Sequence, residues 1–124
     1  FRRLRIIMLV AAEDTTIKRA AGFTGSMFTV NGGNLQMAGG SVTDSNGTAI
    51  GSGSLTVDGS GDGVTGSIVE VVSGNYGLTD DAVLTGNKTT GNAGAISNTA
   101  DGNVYLLGGT ITGNSATTGG ASLQ

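Results

Sequence analysis

Two segments of this chain say nearly the same thing. The first, GNYGLTDDAVLTGNKTTGNAGA, begins at Gly74, and the second, GNVYLLGGTITGNSATTGGA, begins at Gly102. Both open with Gly-Asn, cross a short apolar run, reach Thr-Gly-Asn, and end in Thr-Thr-Gly and small residues. The starting glycines are 28 positions apart, whereas Asn87 and Asn114 are 27 apart. A fainter copy, GNLQMAGGSVTDSNGTA, opens at Gly33. Self-similarity at a period of about 20 to 50 residues is the signature of a repeat architecture. A unit of that size cannot bury its own apolar face, so successive units must stack.

Composition limits what can be stacked. Among 124 residues there are 24 glycines, no proline, no cysteine, no histidine, no tryptophan and only five aromatics. Apart from those, the apolar side chains are mostly Val, Ile, Leu and Ala, and Thr, Ser and Asn fill much of the rest. Thr and Val favour strands, while Gly and Asn tolerate turns, so many short strands are expected. The apolar residues recur in phase with the repeat, which sets this chain apart from a flexible low-complexity linker. Five of the six basic residues fall within the first 19 positions, and the body beyond them is acidic. That balance argues against a nucleic-acid groove, which needs a basic stripe. Without cysteine or histidine there are no disulfides, no thiol ligands, and neither the commonest general base nor a Ser-His-Asp triad.

Taken in order, Leu4 to Val10 reads as a strand, Glu13-Asp14 as a turn, and Thr15 to Lys18 as a second strand. The basic start and the apolar run Ile6 to Ala12 resemble a secretory signal, but the run is short for one and far too short to span a membrane. Strands are then expected at Met27 to Val30 and Leu35 to Met37, with a turn at Asn31-Gly32-Gly33 between them. Asn-Gly between apolar alternations often closes a hairpin. The in-phase repeats favour the other arrangement, in which each strand pairs with its equivalent one period later. Further strands are expected at Ser41 to Thr43, Ala49-Ile50, Leu55 to Val57 and Ile68 to Val72. From Gly33 to Gly74 the spacing is 41, not 28. A loop excursion over residues 52–67 is the expected cause, because insertions in repeats map to loops.

The segments IKRAAGFTGSMFTVNGGNLQM, LTVDGSGDGVTGSIVEVVSG and the twin TGNKTTGNAGAISN / TGNSATTGGA resemble the repeats of right-handed parallel β-helix adhesin-like proteins of bacterial surfaces. GNAGAISN (Gly91 to Asn98) is similar also to repeats of the polymorphic outer-membrane proteins. The resemblance implies an all-β solenoid of about five coils, cut from a longer helix at both ends, with residues 1–124 forming one segment. In such a coil, Leu35, Tyr76 and Val104 would share one ladder, and Val42, Val83 and Ile111 another. Asn87 and Asn114 would align at a corner, satisfying turn backbone groups or adopting the left-handed conformation.

Several residues are candidates for chemistry. Asp58, Ser60 and Asp62, followed by Gly63, match the opening of a calcium loop. Its closing carboxylate belongs at Val69, and the one available, Glu70, falls a residue late. Asp80, Asp81 and Asp101 could be a carboxylate set on a sugar-cleaving β-helix, although solvated turn acids explain them better. Thr15-Thr16, Thr89-Thr90, Thr110, Thr112 and Thr117-Thr118 resemble the threonine arrays of ice-binding solenoids, yet only Thr110 and Thr112 have the required spacing. Asn46-Gly-Thr48 and Asn87-Lys-Thr89 match the glycosylation acceptor pattern. None of these displaces the plain turn reading, so no catalytic, cofactor or metal residue is assigned.

The expected function is non-enzymatic: a stalk or ligand-presenting scaffold of an extracellular bacterial protein. Its partner would be a host or cell-surface glycan or protein, with no nucleic acid and no membrane span in this segment. The alternatives are a fragment of a carbohydrate-active β-helix enzyme and a filament subunit self-associating through open coil ends.

Overall fold

The computed structural model describes residues 5–123. Its strands are β1 (Ile6–Val10), β2 (Thr15–Lys18), β3 (Phe28–Ala38), β4 (Gly40–Thr43), β5 (Ala49–Gly53), β6 (Leu55–Val64) and β7 (Val69–Leu78). They continue with β8 (Ala82–Thr89), β9 (Ala93–Asn98), β10 (Gly102–Leu106), β11 (Thr110–Thr112), β12 (Ser115–Ala116) and β13 (Gly120–Leu123). Two sheets gather most of these. The first runs β1-β3-β7-β9-β13, with β10 also beside β7; the second runs β2-β6-β8-β11, with β12 also beside β8. Every pairing within both sheets is parallel. The fold is all-β, and the chain alternates between the sheets.

The repeat spacing sets this arrangement. Asn34 faces Asn75, which faces Asn103, so the Gly-Asn openings at Gly33, Gly74 and Gly102 share one column. The polar side chains of that column join up: Asn103 donates to Asn75 across 28 residues at 3.2 Å, and Asn75 donates to Asn34. On the opposite face of the same strands Ile7, Leu35, Tyr76 and Val104 align, as do Leu9, Met37, Leu78 and Leu106. Alternate residues of a strand point to opposite faces, so one register serves both a polar outer column and an apolar inner one. The expected ladder of Leu35, Tyr76 and Val104 is therefore present.

The ladder expected for Val42, Val83 and Ile111 is not. Ile111 faces Leu84, and Val83 faces Thr110. The offset in the second sheet is 27 residues, because four residues separate Leu78 from Val83 while only three separate their partners Leu106 and Thr110. A shift of one residue turns every side chain to the other face. The inner ladder there is Ile17, Val57, Leu84 and Ile111. Val42 belongs to neither sheet, since it lies in β4.

Asn31-Gly32-Gly33 closes no hairpin. β3 runs straight through it, with register irregularities against β7 on both sides of Asn31, and Gly32 and Gly33 take φ of 91° and 123°. Those positive φ values suit glycine and let an irregular strand stay paired. The long 41-residue offset also has a different source from the one expected. Leu55–Val64, within the expected excursion at 52–67, is β6, hydrogen-bonded in parallel to β2 and β8. The inserted element is β4 with β5, an antiparallel hairpin. Alternating burial along β6, with Leu55, Val57, Gly59, Gly61 and Val64 inward, holds that stretch in its sheet.

The core lies between the two sheets. Met37, Val57, Ile68, Val69, Val71, Tyr76, Leu84, Ala95 and Ile96 are fully buried. Each large apolar side chain so buried contributes roughly 1.5–3 kcal/mol.

Candidate functional site: a projecting hairpin and a corner groove

Two features depart from the repeating register, one at each end of the β6 strand. The hairpin precedes β6. Residues 43–50 are exposed, including Ile50. Its tip is ordered by Asp44, whose Oδ1 accepts the backbone N–H groups of Asn46 and Thr48 at 2.9 and 3.0 Å. Gly47, with φ of 80°, completes the turn and donates to the Asp44 carbonyl. Gly39 and Gly53 form the hairpin's base, packed so closely on Asp81, Glu13 and each other that neither has room for a Cβ.

A groove of about 590 Å³ lies at the far end of β6, lined by Lys18, Phe23, Thr24, Ser60, Asp62 and Val64 among others. Its floor is Arg19, which is only 6% exposed. Nε donates to the Gly59 carbonyl at 2.7 Å; one terminal nitrogen donates to Phe23 and Gly25, the other to Ser67 and to Asn87 Oδ1 at 3.0 Å. A guanidinium has five N–H donors, and here all five meet acceptors. Those acceptors are neutral, and burial lowers the pKa of Arg19 by desolvation. The group stays charged, since arginine begins so far above neutrality. Phe23 lies over the guanidinium at 5.6 Å and is itself half exposed. Arg19 thus fastens the loop after β2 to the strands and turns of the next two repeats.

Asn87 completes the clasp. It is fully buried, its Nδ2 donates to the Gly66 and Gly94 carbonyls at 3.0 and 2.7 Å, and its backbone N–H donates to Asn114 Oδ1 at 3.0 Å. The expected alignment of Asn87 with Asn114 is present, with the two residues in direct contact. Neither is left-handed; that conformation falls on the preceding glycines, Gly86 and Gly113, at φ of 76° and 69°. Thr-Gly-Asn therefore encodes a left-handed glycine followed by an asparagine whose side chain bonds to the preceding layer. In β6 the equivalent pair is Ser60-Gly61, with Ser60 at φ of 41°. Glycine at 59 and 61 leaves space that a Cβ would take from Asn87.

The other candidate residues are not brought together. Asp58 Oδ1 accepts the Ser60 N–H at 2.8 Å, closing a local turn. Asp62 and Ser60 face the groove, while Val69 and Glu70 sit in the other sheet, with Val69 fully buried. Among the described residues no three acidic side chains form a group able to hold a metal ion. Asp80 and Asp81 occupy the corner after β7, and Asp101 the turn between β9 and β10. Thr110 and Thr112 are exposed, but Val83 interrupts the column below Thr110, so no flat threonine face forms. Thr89 is buried, and its hydroxyl donates to the Val64 carbonyl at 3.0 Å. Asn46 is exposed at the hairpin tip, whereas burial of Asn87 rules out the glycosylation reading there. Sequence reasoning missed Arg19, although a basic residue followed by Ala-Ala-Gly-Phe at the end of a strand was visible. Among the described residues no helix is long and apolar enough to cross a membrane.

In comparisons with known proteins, no family model, curated protein or solved structure matches this chain.

Proposed function

We propose that this chain is a segment of a right-handed parallel β-helix from an extracellular bacterial surface protein, a non-enzymatic scaffold that presents a binding element. The observation that carries this reading is the β4–β5 hairpin. It adds 13 residues to one repeat, while the parallel registers on either side continue through the same columns. A body that accommodates an exposed insertion without changing its own pairing is suited to holding that insertion out for a partner. The partner would be a glycan or protein of a host or neighbouring cell. Asp80 and Asp81 are neighbours in the corner after β7, and Asp101 lies in a different turn, between β9 and β10, which favours a scaffold over a sugar-cleaving enzyme.

The test compares the full chain with a variant lacking residues 40–52, each immobilised on beads and offered to epithelial cells and to a glycan array. Retention by the full chain, lost by at least about tenfold in the variant, is expected if the hairpin carries a contact worth about 1.4 kcal/mol or more. Equal retention by both would remove the hairpin from the account. Release of oligosaccharides from a polysaccharide would replace the scaffold with an enzyme.

A further inference from the structure

The walls of the corner groove are two consecutive layers, joined to each other on either side of it. Before the groove the Arg19 backbone N–H donates to the Asp58 carbonyl at 3.0 Å; beyond it Thr65 and Gly66 donate to the Thr24 carbonyl at 3.0 and 2.9 Å. Between those joins one layer has four residues, Ala20 to Phe23, and the other has six, Gly59 to Val64. The shorter segment folds into a turn, closed by the Phe23 N–H on the Ala20 carbonyl, with Gly22 at φ of 84°. The longer one bulges. Its register against β8 is irregular between Asp58 and Gly61 and again between Asp62 and Val64, and Ser60 and Gly63 are left-handed. Regular pairing cannot absorb a difference of two residues, so the layers part and leave a groove between them.

The groove has a definite chemistry. Lys18 and Phe23 belong to one wall, Ser60 and Asp62 to the other. Lys18 and Arg19 stand against Asp62 alone, a surplus of one positive charge in a chain whose net charge is −3. Arg19 spends its donors on carbonyls and an amide, so none of its bonds neutralises it. Burial keeps screening water away, and its field reaches the space above. Phe23 offers a half-exposed ring. A ring already lying against one cation is a poor seat for another, and Lys18 repels cations as well. What suits the ring is a flat C–H surface. Across from it, the Asp62 carboxylate and the Ser60 hydroxyl can accept hydrogen bonds from hydroxyl groups. The volume, about 590 Å³, lies in the range of small-molecule sites.

We propose that this groove binds a sugar unit carrying a carboxylate: its ring on Phe23, its acid group toward Lys18 over the charge of Arg19, its hydroxyls on Ser60 and Asp62. The site is separate from the hairpin and does not rest on the scaffold reading.

The test is titration of the isotope-labelled 124-residue chain with methyl glucuronide, methyl sialoside, methyl glucoside and acetate, read from amide chemical shifts. Saturable shifts at residues 18–24 and 60–65 are expected with at least one of the two acidic sugars. The glucoside lacks the charge and acetate lacks the ring, so each is expected to bind at least about tenfold more weakly. Lys18 and Phe23 are exposed, so Lys18→Gln and Phe23→Ala are expected to keep the circular dichroism of the parent. Lys18→Gln is expected to bring the acidic sugar down to the level of the glucoside, and Phe23→Ala to weaken both sugars. Lys88→Gln removes a positive charge outside the groove and is expected to change nothing. No saturable shift with either acidic sugar, shifts confined to other residues, glucoside or acetate bound as tightly, or an unaltered Lys18→Gln variant would each overturn the proposal. Should a substitution disturb folding, the four titrations of the unmodified chain decide the matter. Deleting residues 40–52 is expected to leave the titration unchanged, so hairpin and groove are judged separately.

Discussion

Replacing Arg19 with methionine keeps an apolar stem and removes all five donors together. The buried Gly59 and Ser67 carbonyls then lose a partner, as do the part-buried carbonyls of Phe23 and Gly25 beside the groove. A hydrogen bond from a charged donor contributes about 1.5–3 kcal/mol, and a buried acceptor left alone costs about 1–3 kcal/mol. Relief of the desolvated charge offsets part of that loss, so a net destabilisation of about 3 kcal/mol is expected from urea unfolding. A double-mutant cycle with Asn87→Ala is expected to give a coupling of at least about 1 kcal/mol, and additive effects would contradict the clasp. Tyr76 makes a different prediction. Its ring is fully buried, its hydroxyl bonds to Met37 Sδ at 3.1 Å, and desolvation raises its pKa well above the ordinary tyrosine range. The folded state holds the proton more tightly than the unfolded one, so the stabilisation is complete below about pH 10, the unfolded value. It is lost as pH climbs from there toward the folded pKa. Tyr76→Phe is expected to flatten the fall in urea midpoint above about pH 10; an unchanged alkaline slope would assign that fall to other groups.

Among the elements, the hairpin and the corners show what a sequence of this kind reveals. The spacing of 41 announces an insertion but not its place, because LTVDGSGDGV looks like a loop by composition. Only burial of its alternate residues between two sheets makes it the strand β6. Removing residues 40–52 leaves Gly39, Gly53 and Ser54 as a three-residue corner, the same length as Thr79 to Asp81 after β7. The stability of that variant is therefore expected to stay within about 1 kcal/mol of the parent. A larger loss would make the hairpin part of the body. The Thr-Gly-Asn repeats were legible as corners. Their division of labour, with Gly86 and Gly113 bending the chain and Asn87 and Asn114 bonding across layers, depends on backbone geometry that sequence alone does not carry. Val83 and Leu84 could not be told apart as inner residues, since both are apolar and the corner length decides between them.

For the whole molecule, the period itself was the informative quantity. A period of 27 or 28 residues carries a chain out through one sheet and back through the other, and like residues then meet in columns. That much was readable from Gly33, Gly74 and Gly102, and it accounts for the parallel sheets, the asparagine column and the apolar ladders. Repetition is equally why a ligand could not be read. Residues that recur are engaged in stacking, and the features that do not recur, the hairpin and the Arg19 clasp, have no second copy to be compared with. The central claim is that strands pair with their equivalents one repeat away, and backbone nuclear Overhauser contacts on the isotope-labelled chain test it most directly. Contacts linking Leu35 to Tyr76 and Tyr76 to Val104 in parallel geometry are the predicted result. Antiparallel contacts between Met27–Val30 and Leu35–Met37 would contradict it, and the layered account would fall with them.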